Sequence, residues 1–180
     1  MKKNIAIILA GGTGTRMGKK LPKQFVEVGD KPLILHSVEV FSRNKNISGI
    51  ILVSHPEHVG TLEELIKQYR YKKVIKIVHG GATRQISSFN GISACPKDTD
   101  LVLIHDAARP FVDDGMIDRV IDAAERYGAV TTAVDITDTI VENEKDFIKS
   151  IPDRDRFMRV QTPQGFRYEV ILEAHLRSAK

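Results

Sequence analysis

The chain has 180 residues, enough for one domain with a sizeable core. Hydrophobic residues make up 42% and charged residues 28%, and the net charge is +4, an ordinary globular mix too weakly basic to imply nucleic acid yet suited to an anionic small substrate. One cysteine, Cys95, excludes an internal disulfide framework and implies a cytoplasmic protein, and the first apolar run is too short for a signal peptide or a membrane span.

In chain order the pattern alternates strand and helix. Ile5–Leu9 is a continuous isoleucine-rich run, as in a strand buried on both faces. The turn after it, "AGGTGTR", leads into Lys19, Lys20 and Lys23. "PLILHSVEVFSR" has helical spacing, and Gly49–Ser54 is a second strand. "HVGTLEELIKQY" is a helix with early acids and a late Lys67, as the helix dipole favours. Val74–Val78 is a third strand, followed by "GGATRQISSFNG", where a Gly–Gly turn opens a helix with Thr83 as a candidate N-cap. Leu101–His105 is the fourth strand, and "DDGMIDRVIDAAERYG" is a helix closed by Gly128. Ala129–Val134 is the fifth. Five strands separated by helices predict a three-layer α/β fold with a mostly parallel sheet. From about Asp138 to Ile151 the pattern becomes strand, polar turn, strand, with "TIV" and "FI" as the apolar strands of a projecting β-hairpin arm. Thr162–Pro163–Gln164 reads as a structural turn, and "YEVILEAHLRSAK" as a final helix. The whole chain, 1–180, reads as a single domain.

Three strand ends carry polar clusters, and ligands of open α/β sheets sit at the carboxyl ends of strands. Gly11, Gly12 and Gly14 let backbone N–H groups face an anion, and Arg16 and Lys23 add charge. The turn is not a P-loop, and Met17 stands where a dinucleotide fingerprint needs its third glycine. Taken alone, the glycines fit a plain βα turn equally well. At the second end, Gly81, Arg84 and Ser87 can hold a base and phosphates, or the segment is a Gly–Gly turn with an ordinary cap. At the third, "HDAARPFV", Asp106 can hold a sugar hydroxyl or a metal-bound water and Arg109 can fork a phosphate. Equally, Asp106 can cap a turn and Arg109 can pair with Asp113. Arg154 reads either as a phosphate ligand or as a solvated arginine. His36, His55, His58, His79 and His175 are scattered without metal-ligand spacing, and no nucleophile–base constellation is visible.

Together "LAGGTGTRMG", "LPKQF", "GGATRQIS", "HDAARPF", "DTIV" and "QTPQGF" resemble, in order and spacing, the cytidylyltransferases acting on 2-C-methyl-D-erythritol 4-phosphate and the similar ribitol-5-phosphate cytidylyltransferases. The resemblance covers essentially the whole chain. It implies a Rossmann-like nucleotidyltransferase domain, a homodimer joined through the arm, and Mg²⁺. The implied reaction joins CTP and a polyol phosphate into a CDP-alcohol and pyrophosphate. It assigns Arg16 and Lys23 to catalysis and Leu9, Ala10, Gly11, Gly12, Gly81, Arg84 and Ser87 to CTP. Asp106, Arg109, Thr139 and Arg154 fall to the polyol phosphate, the last two across the dimer, with Asp106 also a candidate metal ligand. Gly11 stands where the erythritol enzymes often have alanine. The resemblance further implies an acidic segment and a lysine-bearing strand, neither of which has a counterpart before Lys180, so that part of the family fold is expected to be absent and substrate positioning affected.

Methylerythritol phosphate is the expected acceptor, in isoprenoid precursor synthesis. The alternatives are ribitol 5-phosphate, a sugar-1-phosphate nucleotidyltransferase, and a non-catalytic nucleotide-binding module. Neither nucleic acid nor a membrane is expected as a partner.

Overall fold

A computed structural model describes residues 2–12 and 22–178. The elements run β1 (Asn4–Ala10), β2 (Glu27–Val28), β3 (Lys31–Pro32), α1 (Leu33–Arg43), β4 (Gly49–Ser54), α2 (Val59–Tyr69) and β5 (Val74–His79). They continue as α3 (Arg84–Ser93), β6 (Leu101–Asp106), α4 (Asp114–Tyr127), β7 (Ala129–Asp135), β8 (Glu142–Glu144), β9 (Phe147–Ser150), β10 (Met158–Arg167) and α5 (Tyr168–Ser178). The main sheet has six strands in the order β5-β4-β1-β6-β10-β7.

β1 lies between two parallel partners, which is why its sequence is apolar on both faces. Its even residues Ala6, Ile8 and Ala10 join Phe41, Leu62 and Ile121, from α1, α2 and α4, in one core. Its odd residues Ile5 and Ile7 join Ile92 of α3 in a second core, against which Ile171 and Leu172 of α5 pack. The expected three layers are present.

Register sets where the site can form. Leu9 pairs with Val53 and with Asp106, Ala10 with Ser54, and Ser54 with His79. Four parallel strands therefore end level, and the loops after β1, β4, β5 and β6 open on one edge. Two helix ends follow their predicted chemistry. Thr83 caps α3 by accepting a hydrogen bond from the Ile86 N–H at 3.1 Å. Gly128, at φ +83°, ends α4 in a conformation that side chains rarely adopt.

The C-terminal third departs from expectation in two places. Thr162–Pro163–Gln164 is not a turn: it lies inside β10, which runs antiparallel to both β6 and β7 and fills the gap between them. The register shifts between Val160 and Gln164, and the Thr162–Pro163 peptide is cis. Proline is tolerated in a central strand at such an irregularity because the missing N–H falls where the ladder is already interrupted. The hairpin is present but shorter than predicted. Thr139–Val141 is irregular, and the paired strands are Glu142–Glu144 and Phe147–Ser150, joined through Lys145 at φ +58°.

Candidate active site

A cavity of about 690 Å³ lies at the common strand edge. It is lined by Leu9, Ala10, Gly11 and Gly12 after β1, Lys23 beyond them, and His55 and Pro56 after β4. Gly81, Arg84 and Ser87 line it from the β5–α3 loop and Asp106 from the end of β6. The fold thus brings together seven residues expected at CTP, one of the two expected at catalysis, and one expected at the polyol phosphate. Arg16 lies outside the described residues.

Two anchors shape the loops. Gln24, which sequence reasoning passed over although it follows Lys23, is buried and donates through Nε2 to the carbonyls of Ala10 at 2.7 Å and Gly12 at 3.1 Å. It holds the first glycine loop from beneath and leaves Lys23 exposed beside it. On the other side the Gly81 N–H donates to Ser87 Oγ at 3.0 Å. Gly81 sits so close to α3 that a Cβ would fall 2.0 Å from Ile86 Cγ2. The start of α3, with Thr83 and Arg84, faces the same space, and a helix N-terminus favours negative charge.

Asp106 joins two arginines. Arg84 donates through Nε to Asp106 Oδ1 at 3.1 Å, and Arg109 through Nε to Oδ2 at 3.3 Å. Arg109 therefore pairs with Asp106 and not with Asp113, which is occupied as the N-cap of α4, accepting from the Met116 N–H at 2.7 Å. Two glutamines of β10 complete the fan: Gln164 Oε1 accepts from Arg84 at 3.1 Å, and Gln161 Oε1 accepts from Arg109. Neither stands out in the sequence, where Thr162–Pro163–Gln164 has the local signals of a turn. Lys23 and Arg84 line the cavity with a single carboxylate, Asp106, which Arg109 also pairs, so the site carries net positive charge among the described residues. An incoming phosphate can replace the glutamine and carboxylate partners of the guanidiniums with stronger, bidentate ones.

Thr139 and Arg154 do not line this cavity. Both are exposed at the base of the arm, where Arg154 Nη1 donates to the Thr137 carbonyl at 2.8 Å. The histidines are less scattered than the sequence implied: a single 3-10 turn brings donor atoms of His55, Glu57 and His58 within 4.8 Å of one another. His55 Nδ1 there accepts from the Glu57 N–H, and the His58 ring packs edge-on against Phe25. Cys95 is inert, since burial pushes its thiol up to about 12.

The family model for 2-C-methyl-D-erythritol 4-phosphate cytidylyltransferase (IspD) matches residues 4–180. The chain belongs to this family. A Clostridium botulinum protein of that name is 42% identical, over 100% of this chain and 79% of its own length. One from Clostridium tetani is 44% identical, over 97% and 71%. Among solved structures, the 4-diphosphocytidyl-2C-methyl-D-erythritol synthase of Anaerococcus prevotii superposes with a TM-score of 0.85 at 30% identity, covering 99% of this chain and 77% of that one. The 2-C-methyl-D-erythritol 4-phosphate cytidylyltransferase of Thermus thermophilus gives 0.74 at 29% identity, covering 96% and 75%. The chain is thus an enzyme, a nucleotidyltransferase of the cytidylyltransferase kind. Among the described residues no helix is long and apolar enough to cross a membrane.

Proposed function

We propose that the cavity at the level strand ends binds CTP, and that the bracket of Asp106 and Arg109 beside it binds the polyol phosphate. The reaction is CTP-dependent cytidylyl transfer to 2-C-methyl-D-erythritol 4-phosphate, in isoprenoid synthesis. Family membership favours this acceptor over ribitol 5-phosphate and over a non-catalytic module. The observation that carries the assignment of residues is the single cavity lined by both glycine loops, Lys23, Arg84 and Asp106.

A 4-phosphate oxygen of the acceptor attacks the α-phosphorus of CTP, a new P–O bond forms, and the α–β bridge breaks to release pyrophosphate. The nucleophile is largely dianionic at pH 7, because the second pKa of a phosphate monoester is about 6. No protein base is needed, and the chain's task is alignment and charge. Lys23 and Arg16 stabilise the charge that gathers around the α-phosphate. Leu9, Ala10, Gly11 and Gly12 present backbone to the nucleotide from one side, Gly81 and Ser87 from the other. Arg84 exchanges its Asp106 and Gln164 partners for phosphate oxygens. Asp106 then accepts a polyol hydroxyl, and Arg109 forks the acceptor's phosphate.

Asp106 is the one carboxylate lining the cavity among the described residues, and each of its oxygens faces a guanidinium. That donor set fits Mg²⁺ carried mainly on CTP phosphates, with Asp106 as at most one protein ligand, since Mg²⁺ in such sites takes one or two carboxylates beside substrate phosphates. When bound, the ion neutralises charge on the triphosphate.

The chain acts as a single domain and as a homodimer in the cytoplasm. Support for the dimer comes from the arm, where Phe147 is 77% and Ile148 64% exposed on a two-stranded hairpin that is marginal alone. Seating on a second copy would cover them and carry Thr139 and Arg154 toward that copy's site. Pyrophosphate release, measured with CTP and each polyol phosphate separately, tests the assignment. Release with methylerythritol phosphate and little with ribitol 5-phosphate is expected; the reverse preference would overturn it.

A further inference from the structure

His105 takes no part in the chemistry above, yet it is fully buried and has a polar partner at both ring nitrogens. It precedes Asp106 at the end of β6, and the ring packs against Phe41 at 5.2 Å. Its contacts have one consistent direction. The Asp106 N–H donates to Thr162 Oγ1 at 3.2 Å. That hydroxyl keeps one hydrogen to give, and its partner at 3.0 Å is His105 Nδ1. His105 Nε2 lies 3.1 Å from the Arg109 carbonyl, an acceptor only, so Nε2 bears the hydrogen, and the Ser37 hydroxyl, 3.4 Å from the same nitrogen, can accept it as well. The opposite tautomer would set two lone pairs against each other at Nε2 and leave the Thr162 hydrogen without an acceptor.

The relay therefore runs from the backbone of Asp106, through Thr162 of β10 and the imidazole, to the backbone of Arg109. Asp106 and Arg109 are three residues apart on one tight turn, closed by the Arg109 N–H donating to the Asp106 carbonyl at 3.0 Å. We infer that His105, held as the neutral Nε2–H tautomer by Thr162, is a positioning residue that fixes the Asp106–Arg109 bracket for the polyol phosphate. The inference rests on the assignment of that bracket to the acceptor. A bracket misplaced by a fraction of an ångström loses acceptor alignment while leaving the nucleotide loops, which hang on β1 and α3, as they were.

Thr162→Val removes the hydroxyl at nearly constant volume, and Thr162→Ser restores it. Thr162→Val is expected to raise the KM for methylerythritol phosphate about tenfold, the scale of one lost hydrogen bond, with the KM for CTP changed less than about twofold. Thr162→Ser should return to parental values. Nitrogen NMR of the histidine-labelled parent at pH 7 should show His105 as an Nε2–H imidazole. Parental kinetics in a folded Thr162→Val, or equal rises in both KM values, would overturn the inference. So would an Nδ1–H tautomer, which decides the matter should Thr162→Val not fold. Asp106→Asn and Arg109→Met separate the two failures. If neither moves the KM for the acceptor, the bracket assignment itself is wrong. If both do while Thr162→Val does not, only the role of His105 falls.

Discussion

The N–H of Gly81 donates to the Oγ of Ser87 across 3.0 Å and closes the β5–α3 loop on the first turn of its helix. Ser87 is nearly buried, so its hydroxyl is a loop anchor before any nucleotide arrives. Ser87→Ala leaves that N–H unpaired in a part-buried place, at a cost of roughly 1–3 kcal/mol. A lower melting temperature and a KM for CTP raised more than that for methylerythritol phosphate are expected from thermal denaturation and steady-state kinetics.

Gly81 and Gly12 should respond oppositely to alanine. At Gly81 the new Cβ would lie 2.0 Å from Ile86 Cγ2 and 2.6 Å from Ile86 Cβ, whereas at Gly12 it meets nothing within 4 Å. The branch point of Ile86 cannot swing aside, so the loop itself must shift, at roughly 1–3 kcal/mol. Gly81→Ala should lose stability and CTP-induced stabilisation together. Gly12→Ala should keep the parental melting temperature, so that any loss of CTP binding there reports on ligand contact alone.

Lys23 is exposed beside the cavity and supports no core. Lys23→Ala should lower turnover by roughly tenfold or more, as for other donors aimed at developing charge, without change in the melting temperature. Parental turnover would remove Lys23 from the catalytic set.

Stability should fall in mild acid. Burial brings the pKa of His105 from 6.5 down to about 4, against the Arg109 carbonyl and Asp106, which raise it, and with the charge of Arg109, which lowers it. His175 is lowered in the same sense by burial. Above pH 6.5 the ring is neutral folded and unfolded, and it contributes no pH dependence. Below that, the unfolded chain takes up a proton the folded chain refuses, so stability declines until the folded ring protonates near pH 4, in all by about 3 kcal/mol. Denaturant midpoints between about pH 7.5 and 4.5 should show this decline. His105→Gln, if folded, should flatten it.

The arm predicts assembly. Phe147→Asp with Ile148→Asp places charge on two exposed apolar side chains of β9 that touch no core. Light scattering should show a dimer in the parent and a monomer in the double variant, with the domain's melting temperature little changed. A parental chain that is monomeric at micromolar concentration would sink both the dimer and the delivery of Arg154 across it.

Much of this was written locally. The runs at Ile5–Leu9, Gly49–Ser54 and Leu101–His105 are apolar on both faces because each strand has helices on both sides, a constraint that period-two alternation cannot mimic. Thr83 and Gly128 announced their caps by the chemistry a helix end requires. Glycine loops at strand ends, with Lys23, Arg84 and Asp106 behind them, pointed to the candidate cavity because an anion needs close backbone and positive charge where the strands end level.

Other features depended on distance along the chain. β10 carries a proline and a register shift, so its local signals read as a turn; only insertion between β6 and β7 makes it a strand. With it come Gln161, Thr162 and Gln164, which meet Arg109, His105 and Arg84 from more than fifty residues away. Which partner Arg109 takes was equally beyond local reading, since Asp106 and Asp113 lie three and four residues from it. The fold decides it by committing Asp113 to the amide of Met116 at the head of α4, leaving the Asp106 carboxylate to join the two arginines.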